Sequence, residues 1–443
     1  MLARTKRGLW RGLTALLVLV LCVSLLLGNI LEANAGTIDT ALGTISSGFV
    51  SEHDANNPLY DKFTPPEEFL NADGTGNSRA LIEAAIDLGP REVAEGSVLL
   101  KNNGALPLGS GSNVTLFGIR SHSNLLGSSF GVKAFGGYIS LEQALSKSKT
   151  DFANTIAWTV GSRGAANSPT VDGWSGDEFD FDGAGFNLNQ TMIDIYDKLG
   201  ETYVHYENEP AAEVYNPGEP SISEIEGVNS GFKSSFAQYG DAAIVVIARP
   251  SCEQLDYLPG GVADGLDFES GEPFSLTKNE RDIIALAKEC SDKVIVLVSS
   301  SASVEIGSLK DDPDVDAILW IGAPGCYGML GVADILSGKV SPSGGLFDIF
   351  TARNMSAPAM QNMGKMYYAN TEGTIVRTGG VLGFNPGAYA IEAEGIYVGY
   401  RYYETRYYDC VAGTGGADSP AGAYASSGNW NYDDELPMAS ASA

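Results

Sequence analysis

Arg249, Glu253 and Asp256 crowd the few positions that follow an apolar, β-branched run, Ala242 to Ile247, in the stretch DAAIVVIARPSCEQLD. A carboxylic acid held at such a place can donate a proton when its surroundings raise its pKa, and act as a base once the proton is gone. Glu253 is therefore the candidate proton donor. Arg249 and Asp256 are candidate substrate-binding neighbours that shape the loop and its charge rather than move protons. On this stretch alone, Glu253 could equally be an ordinary solvated carboxylate.

The remaining reactive residue types narrow the chemistry. Five cysteines, Cys22, Cys252, Cys290, Cys326 and Cys410, show neither C-x-x-C spacing nor the density of a disulfide scaffold. His53, His122 and His205 lie far apart in the chain, so no histidine-built metal site is expected and each is read as structural. No cofactor is called for. A net charge of -28 without a basic stripe excludes nucleic acid and disfavours an anionic membrane surface as partner. A nucleotide-binding domain is weakly supported, because no G-x-G-x-x-G or Walker-type loop follows the first strand.

The elements that must position Glu253 read as an α/β fold. The run at 242–247 is too short for a membrane span and suits a strand buried on both faces of a parallel sheet. Val294 to Val298 and Asp316 to Gly322 repeat that pattern, and Val114 to Gly118 precedes it. Residues 155–160 suggest a further strand, and 346–347 a last short one. Helical periodicity appears from Ser78 past Pro90, which should kink or restart the helix. It appears again at 141–145, 190–199, 277–290 and 329–336. Ser275 or Thr277 can cap the 277–290 helix, with Glu280 near the third position. Strands alternating with helices predict a mostly parallel sheet flanked by helices on both faces, a three-layer αβα sandwich. Ligands of such sheets bind beyond the carboxyl ends of the strands, which is where Glu253 falls.

The ends read differently. Arg4, Lys6, Arg7 and Arg11 precede an apolar run over 13–31, the export pattern. The run is long enough for an uncleaved anchor, whereas Ala33-Asn34-Ala35 has the form of a cleavage site. Either way the remainder is expected outside the membrane, anchored on its outer face or secreted. Residues 36–77 read as a polar spacer. Residues 78–355 form the sandwich, and 356–443 an aromatic, then Gly/Ser-rich, extension whose stretch 396–409 looks strand-like.

Several segments together resemble glycoside hydrolase family 3, in its α/β sandwich domain. These are REVAEGSVLLKNNGALPL, AIVVIARPSCEQLD, FSLTKNERDIIALAKEC, KVIVLVSSSASVEI, VDAILWIGAPGCYGMLGVADILSGKVSPSGGLFDIF and EGIYVGYRYYETRYYD, in order and spacing across residues 78–434. The resemblance implies a retaining β-glycosidase, β-glucosidase-like or β-xylosidase-like, acting on a β-linked carbohydrate. It puts the acid/base at Glu253, in a loop usually written G-R-x-x-G-E-x-x-D. Ala248 and Cys252 stand here where the family usually has Gly. Glu394 is the competing carboxylate, within a segment that reads as packed structure, and the loop 127–137 is a weaker candidate for sugar contacts.

Retaining glycosidases need a nucleophile about 5 Å from the acid/base carboxyl. In the family that nucleophile is an Asp on a (β/α)₈ barrel, in a Ser-Asp-Trp-like motif that this sequence lacks. The chain thus carries half of a site, with a barrel as the expected partner, as in members of permuted order. The terminal residues 437–443, PMASASA, are what the family's expected Pro-Tyr-Gly-Phe-Gly-Leu-Ser-Tyr would give one nucleotide out of frame, so a frameshift or truncation with the barrel encoded downstream is expected. The alternative is a non-catalytic carbohydrate-binding or cell-surface module.

Overall fold

The computed structural model describes residues 13–21, 23–24, 66–74, 76–122, 139–146, 182–203, 218–249, 265–325, 327–351, 354, 358–361, 366–368, 370, 388–389 and 395–412. It divides into two compact units, Met1–Gly76 and Asn77–Ala443. In the first unit, residues 13–21 and 23–24 are helical with exposed side chains. No helix among the described residues is long and apolar enough to cross a membrane; of the apolar run over 13–31, residues 22 and 25–31 lie outside the described residues. A short 3-10 turn, Glu67–Phe69, precedes a bridge between Leu70 and Gly76.

The second unit is built from helix α1 (Ser78–Gly96), strands β1 (Val98–Asn102) and β2 (Asn113–Phe117), helix α2 (Leu141–Leu145), strand β3 (Asn187–Leu188), helices α3 (Gln190–Tyr203) and α4 (Ile222–Val228), strand β4 (Ala242–Arg249), helix α5 (Lys278–Cys290), strand β5 (Val294–Ser300), helix α6 (Gly307–Asp311), strand β6 (Ala317–Trp320) and helix α7 (Met329–Leu336). A helical turn α8 (Pro358–Gln361), a two-strand ladder β7 (Met366–Tyr367) with β8 (Ala388–Tyr389), and helix α9 (Tyr400–Ala412) follow. The main sheet has the order β1-β6-β5-β4-β2-β3. All its pairings are parallel except β1 with β6, which is antiparallel.

Alternation along β4 shows why the sheet is covered on both sides. Ala242, Ile244, Val246 and Ala248 face one core, with Ala94 of α1, Leu141 of α2 and Val332 of α7. Ala243, Val245 and Ile247 face the other, with Ile195 of α3, Ile225 of α4 and Ile283 of α5. Every residue of β4 and of β5 is buried. Each large aliphatic side chain removed from water there contributes roughly 2 kcal/mol. This is the three-layer arrangement the runs of Val and Ile predict.

Close helix packing depends on two glycines of α7 and the turn before it. A Cβ on Gly331 would lie 2.1 Å from the Pro90 carbonyl oxygen, and one on Gly328 would lie 2.3 Å from Val93 Cγ2. Pro90 sits inside α1, which is helical from Ser78 to Gly96 rather than restarting at the proline. Two sequence expectations are corrected. Residues 346–347 form no strand. Residues 400–412 are a helix rather than a strand, because Tyr402 and Tyr403 bury together while Tyr400, Tyr407 and Tyr408 stay exposed, a helical and not an alternating pattern. The strand expected over 155–160 lies outside the described residues.

Candidate active site at the carboxyl edge of the sheet

The order of the strands locates the crevice. From β2 the chain moves outward to β3, then returns to lay β4, β5 and β6 on the other side of β2. The direction of winding therefore reverses between β2 and β4, where open α/β sheets receive ligands at the carboxyl ends of their strands. Residues 118–122 leave β2 at that edge, and Arg249 ends β4 beside them.

Arg249 is completely buried. Its Nε donates to the Pro273 carbonyl at 2.8 Å, Nη1 to the Ala248 carbonyl at 2.9 Å, and Nη2 to the Ser275 carbonyl at 2.6 Å. The other two donors form a fork on Glu280, Nη1 to Oε1 at 2.7 Å and Nη2 to Oε2 at 2.9 Å. A guanidinium has five N–H donors, so all are committed to protein acceptors. The expected sugar contact by Arg249 therefore finds no donor among the described geometry; the side chain ties β4 to the segment 273–280 instead.

Glu280 explains how the sequence builds this clamp. Thr277 caps α5 in a capping box: its side chain accepts from the Glu280 amide at 3.2 Å, and Glu280 Oε2 accepts from the Thr277 amide at 2.8 Å. The same carboxylate then turns to Arg249. Around it, the Lys278 amide donates to Asp267 at 2.7 Å and the Glu269 amide to Leu276 at 2.9 Å, closing residues 267–277 on themselves.

The β2 side is chemically different. Gly118, at φ 94°, lets β2 pass within reach of β4: a Cβ there would stand 2.7 Å from the Val246 carbonyl oxygen. Its amide donates to the Tyr196 hydroxyl at 2.9 Å, and the next amide, Ile119, donates to Glu219 Oε2 at 2.9 Å. The His122 ring stacks on Tyr196, centroids 4.9 Å apart and planes 14° from parallel. Glu219 Oε1 and both His122 ring nitrogens are sealed from solvent, with no hydrogen-bond partner among the described residues. Burial lowers the His122 pKa to about 3, so the ring is neutral. Burial pushes the Glu219 carboxyl well up, against the Ile119 amide and Arg120 and reinforced by Glu280. Burial likewise raises the Tyr196 hydroxyl, helped by Glu219.

At the far side, the ends of β5 and β6 are tied together. Trp320 Nε1 donates to the Ser300 carbonyl and the Ser299 hydroxyl to the Gly322 carbonyl, each at 2.9 Å. Glu305 fixes the loop after β5: its amide donates to Phe274 at 3.0 Å and its Oε1 accepts from the Asn354 amide at 2.7 Å. Burial raises its pKa.

The structure thus brings Arg249 to the edge of the sheet, at the switch in strand order. Glu253, Asp256, Glu394 and the loop 127–137 lie outside the described residues. No group of three or more His, Cys, Asp or Glu among the described residues is placed to hold a metal ion. Sequence reasoning found Glu280 as a cap but missed it as the partner of Arg249. It also set His122 aside as structural, and missed Glu219. An arginine at the end of a buried strand was the available signal, since such a charge requires a carboxylate nearby.

A profile described as the glycosyl hydrolase family 3 C-terminal domain matches residues 97–400. The chain belongs to glycoside hydrolase family 3. Among curated relatives, beta-glucosidase A of Butyrivibrio fibrisolvens is 30% identical over 234 residues, covering 50% of this chain and 25% of that one. A beta-glucosidase of Ruminococcus albus is 25% identical over 312 residues, 70% of this chain and 25% of that one. A solved beta-glucosidase from Paenibacillus barengoltzii aligns with a TM-score of 0.48 at 23% identity, over 73% of this chain and 28% of that one. This family 3 chain spans about a quarter of the length of the curated relatives it matches.

Proposed function

We propose that this chain supplies the acid/base half of an exported, β-glucosidase-like glycoside hydrolase that cleaves a β-linked glycoside with retention. Glu253 is the acid/base, Asp256 lies near the sugar, and the nucleophile comes from a (β/α)₈ barrel outside this sequence. The observation that carries the reading is the position of Arg249. It ends the central strand at the reversal of strand order, the edge at which open α/β sheets bind ligands, and Glu253 follows four positions later in the sequence. Membership of family 3 supplies the chemistry for that crevice. The apolar leader supports export, to the outer face of a membrane or beyond it.

Chemically, Glu253 in its acid form protonates the departing oxygen while the barrel's carboxylate attacks the anomeric carbon. As a carboxylate it then draws the proton from the water that releases the sugar. The purified chain alone is expected not to turn over an aryl β-glucoside, because the covalent step has no nucleophile. Supplying a separately produced barrel should restore turnover, with Glu253→Gln abolishing it and Glu394→Gln leaving it intact. Turnover by the chain alone, or loss in Glu394→Gln but not Glu253→Gln, contradicts the assignment.

A further inference from the structure

We infer that the turn leaving β2, residues 118–122, is an acid-released latch: it closes on a neutral His122 ring and opens when that ring takes a proton. The latch lies on the β2 side of the crevice and does not depend on which residue acts as acid/base.

The turn is small and lightly held. Ile119–Ser121 form a single 3-10 turn, in which the Ser121 amide and hydroxyl both donate to the Gly118 carbonyl, at 2.9 and 2.7 Å. Two successive amides tie it outward, Gly118 to the Tyr196 hydroxyl and Ile119 to Glu219 Oε2, each at 2.9 Å. The His122 ring closes it by stacking on Tyr196. Closure leaves both ring nitrogens sealed from solvent, with no hydrogen-bond partner among the described residues. Water would bond each of them, so the closed turn forgoes those bonds even at neutral pH. The stack and the two amide bonds offset that loss while the ring is uncharged. A buried imidazolium without an acceptor is a far larger loss.

The groups around the turn do not compensate such a charge. α3 presents the Tyr196 hydroxyl, which burial holds in its neutral form, while Asp194 and Asp197 of that helix act on Glu142 of α2. The segment before α4 presents Glu219, kept in its acid form by burial well above the usual carboxylate range. β4 meets Gly118 with the Val246 backbone and α5 with the Ile283 side chain. Arg249 of β4 and Glu280 of α5 are paired with each other. Arg120, on the turn itself, adds a like charge. His122 in the closed turn therefore takes a proton only near pH 3, against 6.5 for the free group. The closed form is favoured in full above pH 6.5, and that preference is lost as pH falls towards 3. Opening frees one lip of the crevice, since the reversal of strand order lies between β2 and β4.

Amide hydrogen exchange of the full chain, read by mass spectrometry from pH 6.5 to 4 and corrected for the pH dependence of an unstructured peptide, tests the latch. Protection over 118–122 should fall by about tenfold per pH unit between pH 5.5 and 4, while β4 and β5 keep theirs within about twofold. In His122→Phe, which keeps a ring on Tyr196 but cannot take a proton, protection over 118–122 should not follow pH. Three results overturn the inference: flat protection in the unaltered chain, an equal fall in His122→Phe, or loss from 118–122 and β4 together. Should His122→Phe not fold, exchange of the His122 C2 hydrogen in the unaltered chain decides instead. Its titration midpoint should lie at least about one pH unit below 6.5, and a midpoint at 6.5 overturns the inference.

Discussion

Two buried carboxyl groups stand on either side of the reversal in strand order, and they are resolved in opposite ways. Glu280, on the β4 side, meets the guanidinium of Arg249 and a helix cap, and its oxygens are bonded. Glu219, on the β2 side, accepts one amide, from Ile119, and its Oε1, like the ring nitrogens of His122, has no partner among the described residues. The first region is held by directional bonds between charged groups. The second keeps its groups neutral instead: burial pushes the acid up and the imidazole down. A buried polar cluster that is fully bonded fixes geometry, whereas one that is half bonded responds to pH.

The comparison breaks most sharply at Arg249. Arg249→Met leaves the Glu280 carboxylate buried without a cation and is expected to cost about 3–5 kcal/mol, measured by urea denaturation. Adding Glu280→Gln should return most of that loss, because no charge remains to be compensated. A single variant as stable as the unaltered chain would show that the pair is not sealed from water.

The neutral side is tested by pH. His122 has its pKa lowered on folding, from 6.5 to about 3, so its contribution is complete above pH 6.5 and is lost as pH falls towards 3. At pH 5 this amounts to about 2 kcal/mol, from 1.36 kcal/mol per pH unit. His122→Phe, which keeps the stack on Tyr196, should remove that slope. Glu219 acts in the opposite sense. Its folded pKa is raised, so its contribution is present below pH 4.5 and is lost as pH climbs towards the folded value. Glu219→Gln should flatten the fall in stability on the alkaline side. Identical denaturation curves against pH for His122→Phe and the unaltered chain would contradict the neutral-cluster account.

Smaller effects sharpen the contrast between anchored and solvated charge. Thr277→Ala removes the cap that Glu280 reciprocates and should cost about 1 kcal/mol. Lys233→Ala breaks an ion pair with Glu289 that is roughly half exposed on both sides, and should cost less than about 0.5 kcal/mol. A reversal of that order, read from the same urea melts, would mean that the capping box is not coupled to the clamp.

The legible part of the fold was the part driven by continuous burial. β4, β5 and β6 announce themselves because strands covered on both faces read as near-continuous apolar runs, here broken only at the carboxyl ends by Arg249, Ser299 and Ser300. The cap of α5 was legible because its chemistry is local, three residues from Thr277 to Glu280. β3 escaped notice, since two residues, Asn187 and Leu188, carry no periodicity. The antiparallel direction of β1 is likewise set by its pairing with β6 and not by its composition. α9 misled because tyrosine favours strands, while Tyr402 and Tyr403 are buried together with Tyr400, Tyr407 and Tyr408 exposed, which is not the alternation of a strand. In the site, Arg249 was legible at the end of a buried strand, but its ion-pair partner Glu280 lies 31 positions away, a distance that no local pattern spans.

The most direct test of the account is the leaving-group dependence of Glu253→Gln, assayed with the barrel supplied and with azide as an external nucleophile. General acid/base catalysis contributes on the order of a hundred- to ten-thousandfold. The account predicts a loss of that size on a methyl β-glucoside, little loss of the bond-breaking step on a dinitrophenyl β-glucoside, and recovery of its turnover by azide. Equal activity of the Glu253→Gln and unaltered chains on the methyl glycoside would contradict it.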